Sequence, residues 1–117
     1  MNARPLYLAG QWRHTDTTVK VVNPSTGEQI AEVCTVPRAE VAHALHAAHA
    51  ALPAWRALTG KARGEYLRKI ADQVERRGDE IARTITLENG KPLAQSAGEV
   101  AMTLDHLRWF AEEARRA

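Results

Sequence analysis

A chain of 117 residues, 44% hydrophobic and 26% charged, is long enough for one domain with its own core. Its 16 basic and 14 acidic residues leave a net charge of +2. They interleave, as in Glu75-Arg76-Arg77-Gly78-Asp79-Glu80 and Glu112-Glu113-Ala114-Arg115-Arg116, which reads as solvated helix faces and argues against the one-sided basic surface of a nucleic-acid binder.

The segment Met1-Asn2-Ala3-Arg4-Pro5 leads into an apolar run of Leu6-Tyr7-Leu8, too short for a signal-peptide core. No apolar stretch approaches the roughly 20 residues of a membrane span. Cys34 is the single cysteine, so an intrachain disulfide and a cysteine-based zinc site are excluded, and a reducing, cytoplasmic compartment is expected.

The first third predicts strands. Leu6-Tyr7-Leu8 and Trp12-Arg13-His14 flank Ala9-Gly10-Gln11, a hairpin signal in which Gly supplies a positive φ. Val19-Lys20-Val21-Val22 alternates and stops at Asn23-Pro24-Ser25-Thr26-Gly27, a run dense in turn residues. Ile30 to Val36 resumes the strand pattern before Pro37. An arm of this size buries too little to stand alone and must lie on something else.

The remainder predicts helices. Val41, Leu45, Ala48 and Leu52 recur at helical spacing, and Pro53 is expected to stop that helix. Thr59 is a candidate N-cap for a second helix, with Tyr66, Leu67, Ile70, Ala71 and Val74 inward and Gly78 as its terminal glycine. Asp79 is a candidate cap for a third helix carrying Ile81 and Ile85, which Gly90 ends. Pro92 suits the first position of a fourth helix.

The fourth helix is the most informative. Leu93, Ala97, Val100, Leu104, Leu107, Ala111 and Ala114 form one stripe at spacings of four and three. The opposite side ought to be polar, yet Gly98, Met102 and Trp109 project within roughly 40° of one another there, with His106 beside them. A helix apolar on two faces is sandwiched, and this chain has little left to cover the second. The pattern also runs to Ala117 without a glycine, asparagine or proline stop. Both features lead us to expect that the chain continues in the intact protein.

The chemical constellations are weak. His43, His46 and His49 fan over about 120° of helix surface rather than converging, and no nearby carboxylate completes a ligand set. Cys34 sits in a strand pattern, with no helix start or basic residue beside it in sequence to favour a thiolate. There is no glycine-rich phosphate loop. Glu88-Asn89-Gly90-Lys91-Pro92 has the composition of a helix end and turn. The residues alone describe a mainly helical unit with a β arm, unfinished surfaces and no complete active site.

In order along the chain, the hairpin ending in Ala9-Gly10-Gln11-Trp12, the turn Asn23 to Gly27 and the strand after it resemble the start of the aldehyde dehydrogenase superfamily. The resemblance continues through Ala51-Leu52-Pro53-Ala54-Trp55-Arg56, the helix from Arg63 to Ile70 and Thr86-Leu87-Glu88-Asn89-Gly90-Lys91-Pro92. It ends with Leu107-Arg108-Trp109-Phe110-Ala111-Glu112-Glu113. The wording of Ala51 to Thr59 and of Trp109 to Glu113 is most similar to the succinate-semialdehyde dehydrogenase branch.

The resemblance implies an α/β fold with a Rossmann-like NAD domain, of which this chain holds the N-terminal β arm and about four helices. Residues 1–36 would be the strand-rich arm, and residues 37–117 an incomplete helical part of the NAD(P)-binding domain. Family enzymes are about four times longer, in keeping with multidomain size rules, and are expected to be homo-oligomers. They oxidise an aldehyde, here succinate semialdehyde by that wording, to the carboxylate. A cysteine forms the thiohemiacetal, NAD or NADP takes the hydride, and a glutamate-activated water hydrolyses the thioester.

None of those catalytic or cofactor-binding residues aligns within this chain, and Cys34 is not at the nucleophile's position. The 117 residues alone are therefore expected to be inactive. Two features carry over. The helix from Leu93 to Ala117 matches one that contributes to the wall of the substrate tunnel, with Gly98, Met102 and Trp109 at the matching positions. A monovalent cation in some family members is held by main-chain carbonyls matching Val21 and Val22 and by an acidic side chain matching Glu88. The competing expectation is a truncated helical interaction module that docks on a full-length subunit through the same exposed stripe.

Overall fold

The computed structural model describes residues 3–116; Met1, Asn2 and Ala117, the ends of the expected arm and fourth helix, lie outside the described residues. The elements run β1 (Leu6–Leu8), β2 (Gln11–Arg13), β3 (Thr18–Val22), β4 (Gln29–Cys34), α1 (Arg38–Ala57), α2 (Gly60–Arg76), α3 (Gly78–Asn89) and α4 (Leu93–Glu113). The chain divides into two compact units, Met1–Pro53 and Ala54–Ala117.

In the first unit, β1 and β2 form an antiparallel hairpin with Tyr7 opposite Trp12, their rings meeting edge to face with centroids 5.2 Å apart. Ala9 and Gly10 both have positive φ, at 50° and 83°. That pair is the mirror-image turn whose twist matches the strands, so the turn needs two residues and Gln11 joins β2. β2 accordingly ends at Arg13, before His14.

β3 and β4 pair antiparallel from Thr18 opposite Cys34 to Val22 opposite Gln29, with a register shift between Val21 and Val22. The connecting turn closes through Gly27, at φ 74°, whose N–H donates to the Asn23 carbonyl at 2.8 Å. Asn23 Oδ1 accepts from the Ser25 N–H at 2.9 Å, the side-chain mimic of a backbone turn. The far edge of β4 is taken by Arg4, which donates to Glu32 O and accepts from the Cys34 N–H. β4 stops there, two residues short of the predicted Val36.

α1 departs from expectation. It continues through Pro53 to Ala57. Proline's φ is already helical, so the helix loses one donor, the N–H that would reach the His49 carbonyl, and goes on. Its apolar positions are not buried: Val41, Leu45 and Leu52 are all exposed, and no residue of α1 is buried.

The second unit is three helices packed through small residues. Thr59 caps α2 as predicted, its hydroxyl accepting from the Ala62 N–H at 3.1 Å. Along α2 the buried positions are Gly64 and Ala71, with Leu67 and Val74 half-buried, while Tyr66 and Ile70, expected inward, are exposed. The reason is how near α2 lies to α4. A Cβ built on Gly64 would fall 2.5 Å from the Ala111 carbonyl oxygen, and one on Gly60 2.0 Å from that of Ala114. At that approach only Gly and Ala fit the seam, and the larger apolar side chains are displaced to its flank. Tyr66 instead packs against Trp55, with ring centroids 5.7 Å apart.

Gly78 is not the αL terminator of α2. It is the first residue of α3, with Arg77 serving as the C-cap of one helix and the N-cap of the next. Asp79 therefore falls inside the first turn of α3, where it favours the positive end of the helix dipole without capping it. A Cβ on Gly78 would make an ordinary van der Waals contact with Val100 Cγ1, at 3.6 Å, so packing does not demand glycine there.

Gly90 does end α3 in the left-handed conformation, at φ 79°, its N–H donating to Thr86 O. Pro92 is the N-cap of α4 rather than its first helical residue. α4 ends at Glu113, followed by a turn over 114–116 that its carbonyls close, so the helix does not run on as its sequence pattern predicts.

Candidate functional site

α4 presents its two faces to different surroundings. Facing α2 and α3 are Ser96, Val100 and Ala111, all buried, with Leu104, Leu107 and Ala114 half-buried; Leu93 and Ala97, the first residues of the predicted stripe, are exposed. Ser96 was missed by reading apolar positions alone. It is fully buried, and its hydroxyl meets the Thr86 hydroxyl at 2.8 Å, so each satisfies the other inside the α3–α4 contact. The missing signal was available in sequence: Ser96 lies four residues before Val100 and one before Ala97, on the inward side of the helix.

The outer face carries Gly98, Met102, His106 and Trp109. Met102 is 54% and Trp109 63% exposed. A Cβ built on Gly98 would meet nothing within 4 Å. None of the described residues therefore requires glycine at 98, whereas Gly60 and Gly64 are each required by a backbone carbonyl. The three residues predicted as a tunnel wall thus share one exposed face of one helix, with open space at its glycine end. Phe110 is also exposed but projects from the flank of the helix, about 100° from Trp109.

The other predicted positions lie elsewhere. Val21 and Val22 sit in β3 of the first unit, the one half-buried and the other exposed, at the register shift. Glu88 is exposed near the end of α3 in the second unit. His43, His46 and His49 are all exposed on α1, and among the described residues no group of three or more His, Cys, Asp or Glu could hold a metal ion.

Cys34 is buried, with Sγ accepting from the Thr15 N–H at 3.5 Å and donating to the Thr15 carbonyl at 3.7 Å. The His14 Nδ1 lies 4.0 Å away, a neighbour that the strand pattern around Cys34 did not reveal because it comes from the end of the hairpin. Beside the thiol, Thr15 Oγ1 donates to the Thr35 carbonyl at 2.8 Å, and Cys34 packs as a small core residue.

Charged groups in the second unit act as straps. Arg68 bonds Glu112 at 2.5 Å and Arg108 bonds Glu75 at 2.9 Å, joining α2 to α4, while Lys91 pairs with Glu99 across the α3–α4 turn. The Arg68 hydrogen bond, then its charge, holds the Glu112 carboxyl below the usual range. The Glu75 and Glu80 hydrogen bonds raise Arg108 and Arg77 respectively. All of these pairs are exposed or partly so, and each contributes little.

The described strands form two antiparallel pairs, with none of the strand–glycine loop–helix geometry that cradles a pyrophosphate. The glycines at the start of α2 are filled by the α4 backbone rather than open to a ligand.

Comparison with known proteins gives these features a setting. The aldehyde dehydrogenase family matches residues 12–117, so the chain belongs to that family. It is 46% identical over 112 residues to the glutarate-semialdehyde dehydrogenase of Pseudomonas putida, covering 94% of this chain and 23% of that protein. To the succinate-semialdehyde dehydrogenase [NADP(+)] of Escherichia coli it is 39% identical over 111 residues, covering 93% and 23%. The crystal structure of succinate-semialdehyde dehydrogenase from Burkholderia pseudomallei superposes with a TM-score of 0.90 at 40% identity, covering 97% of this chain and 24% of that one. The chain thus spans about a quarter of the length of the relatives it matches. No helix among the described residues is long and apolar enough to cross a membrane.

Proposed function

We propose that this chain is the N-terminal segment of an NAD(P)-dependent aldehyde dehydrogenase that oxidises an ω-oxo carboxylic acid, succinate or glutarate semialdehyde, to the dicarboxylate. The observation that carries this reading is the match to semialdehyde dehydrogenases along nearly the whole chain and only 23% of their length. The attacking thiolate, the hydrolytic base and the dinucleotide cradle belong to the remaining three quarters, and this chain alone turns over no substrate. NAD(P) supplies hydride acceptance in the complete enzyme; no residue described above touches it.

Within that enzyme, residues 1–36 form the N-terminal arm and residues 37–117 the helical start of the NAD(P)-binding domain. The outer face of α4 supplies one wall of the substrate tunnel. Met102 and Trp109 offer an apolar surface suited to the methylene chain of a semialdehyde, and Gly98 leaves room beside them. The complete protein is a cytoplasmic homo-oligomer in this reading.

The test is a chimera in which residues 1–117 replace the matching quarter of the Pseudomonas putida glutarate-semialdehyde dehydrogenase. Reduction of NAD+ and NADP+ is followed with both semialdehydes. Turnover by the chimera and none by the isolated chain is the expected outcome. Turnover by the isolated chain, or a folded chimera inert on both aldehydes, overturns the reading.

A second reading, a helical interaction module that docks on a full-length subunit, is favoured by the exposed faces of α1 and α4. Light scattering on a mixture of this chain with the full-length relative tests it. A stable complex supports the module, and two independent species exclude it.

A further inference from the structure

We draw no further inference here: the strongest candidate, the exposed apolar surface on α4 around Met102 and Trp109, belongs to the site already described, and nothing in the structure shows what else covers it.

Discussion

The two faces of α4 differ in what lies against them. Toward α2 and α3 it presents Ser96, Val100 and Ala111, all buried, with Leu104 and Leu107 half-buried between them; outward it presents Met102 and Trp109, large and more than half exposed. Both faces carry large apolar side chains, so hydrophobicity alone does not decide which one packs on α2 and α3. What holds it is proximity, since Gly60 and Gly64 let the α2 backbone reach the carbonyls of Ala114 and Ala111. Small residues give close helix contact and dense packing, and the large side chains of the outer face stay exposed.

Substitutions that alter one face and spare the other sharpen this contrast. The largest effect is expected at Gly64. A methyl group there collides with backbone that cannot swing aside, so Gly64→Ala should destabilise the second unit by about 3 kcal/mol. Chemical unfolding followed by circular dichroism reads this directly, and a change below about 1 kcal/mol would mean that the close approach of α2 to α4 is not real. Gly98→Ala serves as the contrast, because open space at 98 and the helix preference for Ala predict no loss or a small gain.

Next comes the Thr86–Ser96 contact. Ser96→Ala leaves the Thr86 hydroxyl without its partner and should cost about 1–3 kcal/mol. Pairing it with Thr86→Val should recover part of that cost, because both polar groups are then gone. A double-mutant cycle with zero coupling would place the two hydroxyls apart. Thr59→Ala, which removes the α2 N-cap, should cost about 1 kcal/mol, visible as a lower denaturation midpoint with an unchanged slope.

A smaller, pH-dependent effect belongs to Arg68 and Glu112. Because the folded-state carboxyl is depressed, its stabilisation is present above the unfolded glutamate pKa. It is lost as pH falls through the lower folded value. Arg68→Gln should therefore lower stability slightly at neutral pH and flatten the loss between neutral and strongly acid solution. Both groups are exposed, so salt should weaken the difference.

The smallest effect on folding is expected on the outer face. Met102→Gln and Trp109→Gln should shift the stability of the isolated chain by less than about 0.5 kcal/mol, while reducing its self-association and its binding of hydrophobic dyes. A marked loss of stability would assign these side chains to the core of the second unit.

Much of this was legible in sequence because it rests on local chemistry. The Thr59 cap, the Gly90 terminator, the Gly27 turn and the second apolar face of α4 each follow from residue type and spacing. The errors arose where tertiary contact overrode local preference. Tyr66 and Ile70 fit an inward stripe by periodicity, but the glycine seam fixes α2 a short rotation away. Gly78 has the position of a terminator, yet it opens α3 while Arg77 caps both helices. Pro53 was read as a stop when its φ suits a helix. Ser96 was overlooked because an apolar count has no place for a polar residue that finds its partner on another helix. For the candidate site, the face was visible from spacing, while its assignment to a tunnel rests on family resemblance.

The most direct test of the division between scaffold and substrate face is the kinetics of the chimera carrying Trp109→Ala, measured with both semialdehydes alongside its melting temperature. The expected result is an unchanged melting temperature with a shift of about tenfold in kcat/KM that differs between the four-carbon and five-carbon substrates. Unchanged kinetics on both substrates with a lowered melting temperature would contradict it and make the outer face of α4 a packing surface.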